Sequence, residues 1–562
     1  MKWIDAGDIK RWVLAERRLC EEKLPELVSR LIWATSSSIT KIDFPSGDSV
    51  TTGGWDGYLE TSTASAFFPK GISGWEIGVE PSPGNKAEQD YRARTSKPSG
   101  LNKRKSSFVF VTPRPWPKRQ DWEARKQKTK KWKSVRVIAA DALEQWLASA
   151  PAVALWLARL LGKVTSDGVR DLEGVWDEWS MATKPSLLPP VVLAGRIKEC
   201  EKIRNWISNE PSLLEVQGDS PDEALAFLYS AISTLGRDDQ AKALSRCIVV
   251  TDILQFRSCV QAFKTPLIIA APAECVEATG AAISGGHHVF LSVDAKVIDL
   301  RGGTVSLARP LRGTFEEALR ANGFSKDDAQ RHARESGSSV PVLRRRLSRS
   351  SSTRTPSWAT TESAQTLLPF LLAGAWVDGK EGDQQVLEEL SGKSYDTLVK
   401  EMQSISAADD SPLRHIGNVW MLKSPLDAWF LLARHLDAGH LKHFQQTINA
   451  VLTETDPKYD LSPDQRWAAA LHGKTPRYSE WLREGLVESL VLLAVYGDRA
   501  AAAKISPQLF AATVVTDILT AAQSWQAWSS LKDETPLLAE AAPEAFIGIV
   551  EKKLEESPGL FS

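Results

Sequence analysis

Near the N-terminus, Trp12, Leu24, Leu27, Leu31 and Ile32 recur at helical spacing, which predicts a helix over residues 8–35. The period then shortens. SITKIDF (38–44), GGWDGYLET (53–61) and GWEIGVE (74–80) read as strands of a meander, with a turn around Phe68-Pro69-Lys70-Gly71. The charged run KAEQDYRART reads as a helix, SSFVFVT (106–112) and SVRVIAA (134–140) read as strands, and helices continue to about Gly162. This order predicts an α/β sandwich over residues 1–165.

Residues 166–187 read as a linker, and a second α/β domain over 188–343 opens with VVLAGRIKECEKIRNWI. Its strand runs are SLLEVQG (212–218), RCIVVTD (246–252), PLIIAAP (266–272) and HVFLSVD (288–294). They are almost wholly apolar and separated by helices, the pattern of a parallel sheet covered on both faces. Helices over 314–322 and 325–336 are expected as a lid. The basic, Ser-rich segment 344–363 reads as a flexible hinge. Residues 364–436 read as helices followed by a strand pair in RHIGNVWMLKS, a winged-helix-like arrangement, and residues 437–562 as amphipathic helices without a repeat period. The expected class is multidomain α/β followed by an α-helical region.

Composition narrows the chemistry. At 562 residues the chain is too long for one core. Its net charge of −1 excludes a global basic field, so nucleic-acid affinity must come from a local patch. The five cysteines (Cys20, Cys200, Cys247, Cys259, Cys275) form no CxxC pair or disulfide framework, which points to a reducing cytoplasm. No apolar signal core and no membrane-spanning run is present.

Candidate chemistry starts with Asp56 and Glu76, on strands joined by a turn. A lone buried carboxylate is costly. Two that converge attract a hard cation such as Mg²⁺ or Mn²⁺, held by one or two carboxylates, waters and phosphate oxygens. Glu26, on the first helix, is a candidate third ligand. The bland alternative is a turn at Asp56-Gly57 and an ion pair of Glu76 with Arg92 or Lys86.

The order helix, Asp56-Gly57, Trp75-Glu76-x-Gly78, then Lys86 and Asp90-Tyr91 on a helix, resembles the PD-(D/E)xK restriction-endonuclease fold. In particular it resembles the Mrr-like nuclease domains of bacterial antiviral STAND proteins, over roughly residues 1–165. The resemblance implies that Asp56 and Glu76 are metal ligands. The family pattern places a lysine two residues after the acid, where this chain has Gly78. Lys86 is the first candidate to replace that lysine, and Lys70 the second.

Between Lys97 and Lys133 lies a basic run containing Lys103, Arg104, Lys105, Arg114, Lys118, Arg119, Lys130 and Lys131, interleaved with Trp116, Trp122 and Trp132. Such a run binds phosphate backbones by counterion release, without base readout; its ordinary alternative is a solvated helix face. After LLEVQG a phosphate-binding loop is due. Instead Gly218 is followed by Asp219, Ser220, Pro221, Asp222, Glu223, Ala224 and Leu225, without the second glycine, the lysine or the hydroxyl, so no ATP is expected there. The rest of this domain resembles an AAA/STAND-type module, and the resemblance implies that Thr251-Asp252, which ends a strand, stands where a metal-binding acid often sits. His435, His440 and His443 lack a zinc spacing, and His287-His288 reads as a loop entering a strand.

The expectation is therefore a cytoplasmic, Mg²⁺-dependent DNA endonuclease regulated by a degenerate AAA/STAND NTPase-like module, in antiphage or foreign-DNA defence. A protein partner, or self-association, is expected through the helical C-terminal region. The alternative is a catalytically inert DNA-binding or assembly subunit.

Overall fold

The predicted first helix is divided at Glu16, whose φ of −133° and ψ of 53° interrupt the ladder. Its halves are α1 (Ala6–Ala15) and α2 (Arg17–Thr35). The computed structural model describes residues 1–45, 54–163, 168–294, 303–406, 410–499 and 506–556. They form two compact units, one made of the described residues of 1–180, 196–294 and 303–307, the other of 181–195 and 308–556.

In the first unit, β1 (Ile39–Asp43), β2 (Gly57–Thr61), β3 (Gly71–Ile77), β4 (Ser107–Val111) and β5 (Ser134–Ile138) lie side by side in chain order. The β1–β2 and β2–β3 pairs are antiparallel, and β3–β4 and β4–β5 parallel. Helix α3 (Pro83–Ser96) links β3 to β4, and α4 (Arg119–Lys128) links β4 to β5. Helices α5 (Ala140–Ala148) and α6 (Pro151–Leu160) follow. Strand alternation divides the side chains between two layers. Trp75, Val109, Val111 and Ile138 pack with α1, α2, α5 and α6, whereas Phe108, Phe110, Val135 and Val137 pack with Tyr91 of α3 and Trp122 of α4. Burying each of Phe108 and Phe110 contributes about 1.5–3 kcal/mol.

A second sheet runs in the order β11 (Val305–Ser306), β7 (Leu213–Gly218), β10 (His288–Asp294), β9 (Ile268–Pro272), β8 (Cys247–Val250) and β6 (Val169–Asp171). All neighbours are parallel except the β6–β8 pair. Strand β6 and the helix after it, α7 (Leu172–Met181), come from the segment read as a linker, whose residues 166 and 167 lie outside the described set. A three-residue strand is too short to show a period, and its edge pairing with β8 is what defines it.

The two sheets share one apolar core. Residues Pro151–Ala158 of α6 are buried without exception, the mark of a helix enclosed between layers. That core joins Trp12 and Leu157 to Ile248, Ile269 and Leu291. Polar contacts follow the seam, as Arg246 donates to the Trp33 carbonyl at 3.1 Å and Thr265 to the Ser149 carbonyl at 2.9 Å.

The second unit is mainly helical. It also holds a small antiparallel sheet in which Val419–Leu422 lies between Ala375–Val377 and Leu413–Ile416. Helices Thr361–Ala373, Glu381–Ser391 and Tyr395–Ser406 precede the last strand pair. The expected hinge is structured rather than flexible. It contains part of the helix Val340–Arg346, the short helix Ser351–Arg354 and the buried Trp358. Arg345 is 6% exposed and pairs with Asp410 at 2.7 Å and with Asp427, and Arg346 pairs with Asp427 and Glu335. Acids outside the segment neutralise arginines that composition alone presents as part of a basic, flexible hinge. Further helices, including Ala438–Thr453, Glu480–Tyr496 and Pro507–Ala521, continue towards the C-terminus, where Ser562 lies outside the described residues. Among the described residues no helix is long and apolar enough to cross a membrane.

Candidate functional site

Gly57 pairs with Trp75 across the β2–β3 ladder. Asp56 and Glu76 therefore lie opposite each other on the far face from Trp75, beneath α3. Gly57 is not a turn residue. A Cβ there would sit 2.2 Å from a ring carbon of Phe44, so glycine lets strand and ring meet and sets the height of Asp56. The Asp56 carboxylate accepts the Ile77 N–H at 2.8 Å, close to the end of β3, which stops short of the predicted residue 80.

Glu76 is 4% exposed. Burial, then the neighbouring Asp56 carboxylate, push its carboxyl up to about 8, although Arg94 opposes them. Burial also raises Asp56, against the Ile77 amide, the charges of Lys86 and Arg94, and a hydrogen bond from Glu76. Adjacent carboxylates resist simultaneous ionisation, which favours keeping a proton on the pair.

Helix α3 presents Lys86, Asp90 and Arg94 at intervals of four residues, one helical stripe, over this pair. Neither partner expected for Glu76 is the one it takes. Arg92 donates to Glu88 at 2.7 Å and Lys86 to Asp90 at 2.9 Å, while Arg94 donates through Nε to Glu76. The repeat of four was the signal in the sequence that sets Arg94 on one stripe with Lys86 and Asp90. Burial lowers the Lys86 ammonium, but Asp90, Glu80 and Asp56 together raise it, so it stays charged.

Gly78 follows β3. A Cβ at this position would lie 2.9 Å from Lys86 Cγ, 2.9 Å from Glu80 Oε2 and 3.0 Å from Phe110 Cζ. The stem of Lys86 thus crosses the space that a side chain at 78 would fill. Lys70 precedes β3 at the other end, about 20 Å along the strand from Glu76 at roughly 3.3 Å per residue.

Glu26 is not brought to the pair. Its carboxylate is taken by Lys23 at 2.9 Å and by Arg30 at 2.9 and 3.0 Å, and it lines a separate cleft with Trp33, Asp43 and Arg237. Helix α2 packs on the opposite face of the sheet, with Trp75, which separates Glu26 from Asp56 and Glu76. Among the described residues no group of three or more acidic, histidine or cysteine side chains is placed to hold a metal ion. Two carboxylates remain, a number that suits Mg²⁺. Beside them Glu80 Oε2 and Asp90 Oδ2 are buried with no hydrogen-bond partner among the described residues.

The basic run divides into two sets. Lys103 donates to the Thr95 carbonyl at 2.7 Å, Arg114 to the Val79 carbonyl at 3.1 Å, and Arg119 pairs with Asp141 at 2.7 Å. Arg104, Lys105, Lys118, Lys130 and Lys131 are exposed. Trp122 and Trp132 are buried and Trp116 is half-buried against Phe110 and Trp122, so these rings belong to the core.

In the second sheet, Gly218 ends β7, and Ser220 caps the helix Pro221–Ser233 through the Glu223 N–H. Glu223 is 1% exposed and turns its carboxylate back into the loop. It accepts the Asp219 N–H at 2.7 Å and Arg196 at 2.6 Å. The Asp219 amide, of the kind that would face a phosphate in a working loop, thus faces an internal anion. Asp252 caps the helix Ile253–Ala262 by accepting the Gln255 N–H at 2.9 Å.

No protein-family profile matches the chain, and no curated protein matches it significantly.

Proposed function

We propose that the first sheet bears the active site of a divalent-cation-dependent deoxyribonuclease of the PD-(D/E)xK, Mrr-like kind. One observation carries the reading: Asp56 and Glu76 meet beneath α3 with the charged Lys86 beside them. The succession of helices, antiparallel meander, helix and two parallel strands supports it. When bound, Mg²⁺ or Mn²⁺ supplies Lewis-acid stabilisation and water activation for phosphodiester hydrolysis. Asp56 and Glu76 hold the ion. Lys86 keeps its proton, so its part is to place positive charge against the phosphate rather than to deprotonate water. The exposed Arg104, Lys105, Lys118, Lys130 and Lys131 hold the DNA backbone.

The second sheet is read as a degenerate AAA/STAND NTPase-like module. Its Gly218–Glu223 loop lies at the carboxyl end of β7, beside the reversal of strand order, where open α/β sheets take ligands. Glu223 occupying that loop supports a module that takes no nucleotide and serves as regulator or scaffold. The helix, strand, two helices and strand pair of the second unit support the winged-helix-like reading. The resemblance of residues 1–165 supports a role in defence against phage or foreign DNA, and the helical C-terminal region is read as the part that engages a protein partner or a second copy.

A second reading, an inert DNA-binding or assembly subunit, is favoured by Arg94 already satisfying Glu76. Plasmid nicking by the purified chain with Mg²⁺, Mn²⁺ or EDTA separates the two. Nicking that EDTA, Glu76→Ala and Asp56→Ala each abolish is the expected result. Nicking that survives both substitutions refutes the assigned site, and DNA binding without nicking by the wild type establishes the inert reading.

A further inference from the structure

We propose that Arg94 is the resident counter-cation of the carboxylate pair, and that it leaves Glu76 to grip the substrate phosphate when the site is loaded; the inference rests on the nuclease reading above. Arg94 rises from the last turn of α3 and is 20% exposed. Its Nε donates to Glu76, one terminal nitrogen donates to the Gly54 carbonyl, and its guanidinium lies 5.0 Å from the Trp55 ring centroid. Among the described residues the second terminal nitrogen reaches Ser99 Oγ alone, at 3.4 Å. Arg94 therefore holds Glu76 through one nitrogen and not by the two-pronged fork that makes arginine–carboxylate pairs strong. The Trp55 face and the Gly54 carbonyl keep the guanidinium beside the site when that one hydrogen bond is given up.

Charge accounting sets the direction of the exchange. Lys86 and Asp90 form one ion pair, Arg94 balances the charge of the Asp56–Glu76 pair through its hydrogen bond to Glu76, and Asp56 has the Ile77 amide as its hydrogen-bond donor from the backbone. Arg94 occupies one Glu76 oxygen and so competes with a hard dication for that carboxylate. Once it leaves, the guanidinium is a surplus positive charge within reach of the pair, and the anion that restores neutrality is a phosphodiester. Arginine matches paired phosphate oxygens better than lysine does.

The test uses the full chain with MnCl₂ as the only ligand in isothermal titration calorimetry, and plasmid nicking at saturating Mn²⁺ as a separate readout. Arg94→Gln is expected to bind Mn²⁺ roughly tenfold more tightly, because a charged competitor is gone, and to nick at least about tenfold more slowly. Arg94→Lys keeps the charge, and with it the fold's neutrality, and is expected to lie between wild type and Arg94→Gln in both measurements. Mn²⁺ bound by the wild type but no more tightly by Arg94→Gln overturns the exchange and leaves the nuclease reading standing. Tighter Mn²⁺ binding with unchanged nicking overturns the grip on phosphate. No Mn²⁺ bound by any of the three, with no nicking by wild type, overturns both proposals.

Discussion

A methyl group added at Gly78 tests whether Lys86 fills the place of the family lysine. It would meet Lys86 Cγ at 2.9 Å, Glu80 Oε2 at 2.9 Å and Phe110 Cζ at 3.0 Å. Phe110 is fully buried and cannot recoil, and Lys86 is tethered to Asp90 at 2.9 Å. Overpacking of this kind costs about 1–3 kcal/mol. Lys86→Ala removes Cγ, one of the three obstructions, and frees the tether. Gly78→Ala is therefore predicted to cost about 1–3 kcal/mol in the wild-type background and less in Lys86→Ala. The coupling energy should reach about 1 kcal/mol, since touching residues couple by about 0.5–3 kcal/mol. Urea unfolding of the four proteins, followed by far-ultraviolet circular dichroism, closes the cycle. The same logic extends to activity: Gly78→Lys should restore part of the nicking that Lys86→Ala removes, because the new side chain enters the vacated space. Additive stabilities within about 0.3 kcal/mol, with no recovery of nicking, would refute the claim that one space serves both positions.

Other outcomes are equally specific. Glu76 has a folded pKa of about 8 against an ordinary 4.5, so the folded state holds an extra proton between those values. The stabilisation is complete below the lower value and is lost as pH rises through the upper one. Glu76→Gln, always neutral, should flatten this fall in urea midpoints between about pH 5 and about pH 9; parallel curves would contradict the assignment. Glu223→Ala removes one charged partner of the 2% exposed Arg196 and should cost about 1–3 kcal/mol. A loss below about 1 kcal/mol, measured the same way, would show that the loop does not depend on its internal anion. Lys130→Ala with Lys131→Ala should lower the salt slope of DNA binding by about 0.9 for each phosphate no longer neutralised. Fluorescence anisotropy across a salt series reads this, and an unchanged slope removes both residues from the interface.

What the sequence disclosed followed the range of the interactions. Strands β4 and β7 to β10 were legible because apolar runs bounded by turns are local signals. Asp56 and Glu76 were legible as a pair because antiparallel register follows from one short connection. Glu26 was misplaced because nothing local says which face of a sheet a helix will cover. Arg94 sits on the same stripe as Lys86 and Asp90, but the charged helix offered several cations, and only packing over β3 chose among them. Trp122 and Trp132 looked like partners of the lysines around them, yet their burial is set by Phe108 and Tyr91 from other elements. The segment holding Arg345 and Arg346 looked like a flexible hinge because Asp410 and Asp427 are far away in the chain.

The enclosure of α6 has a consequence for how this molecule can be taken apart. A fragment ending at residue 163 would present to water the side of α6 that β6 and β8 now cover, and would stick to its own copies instead of remaining dispersed. The carboxylate-bearing half is thus no detachable cassette: trimming, transplanting or expressing it alone breaks a common interior, and both halves must be carried together for either to persist.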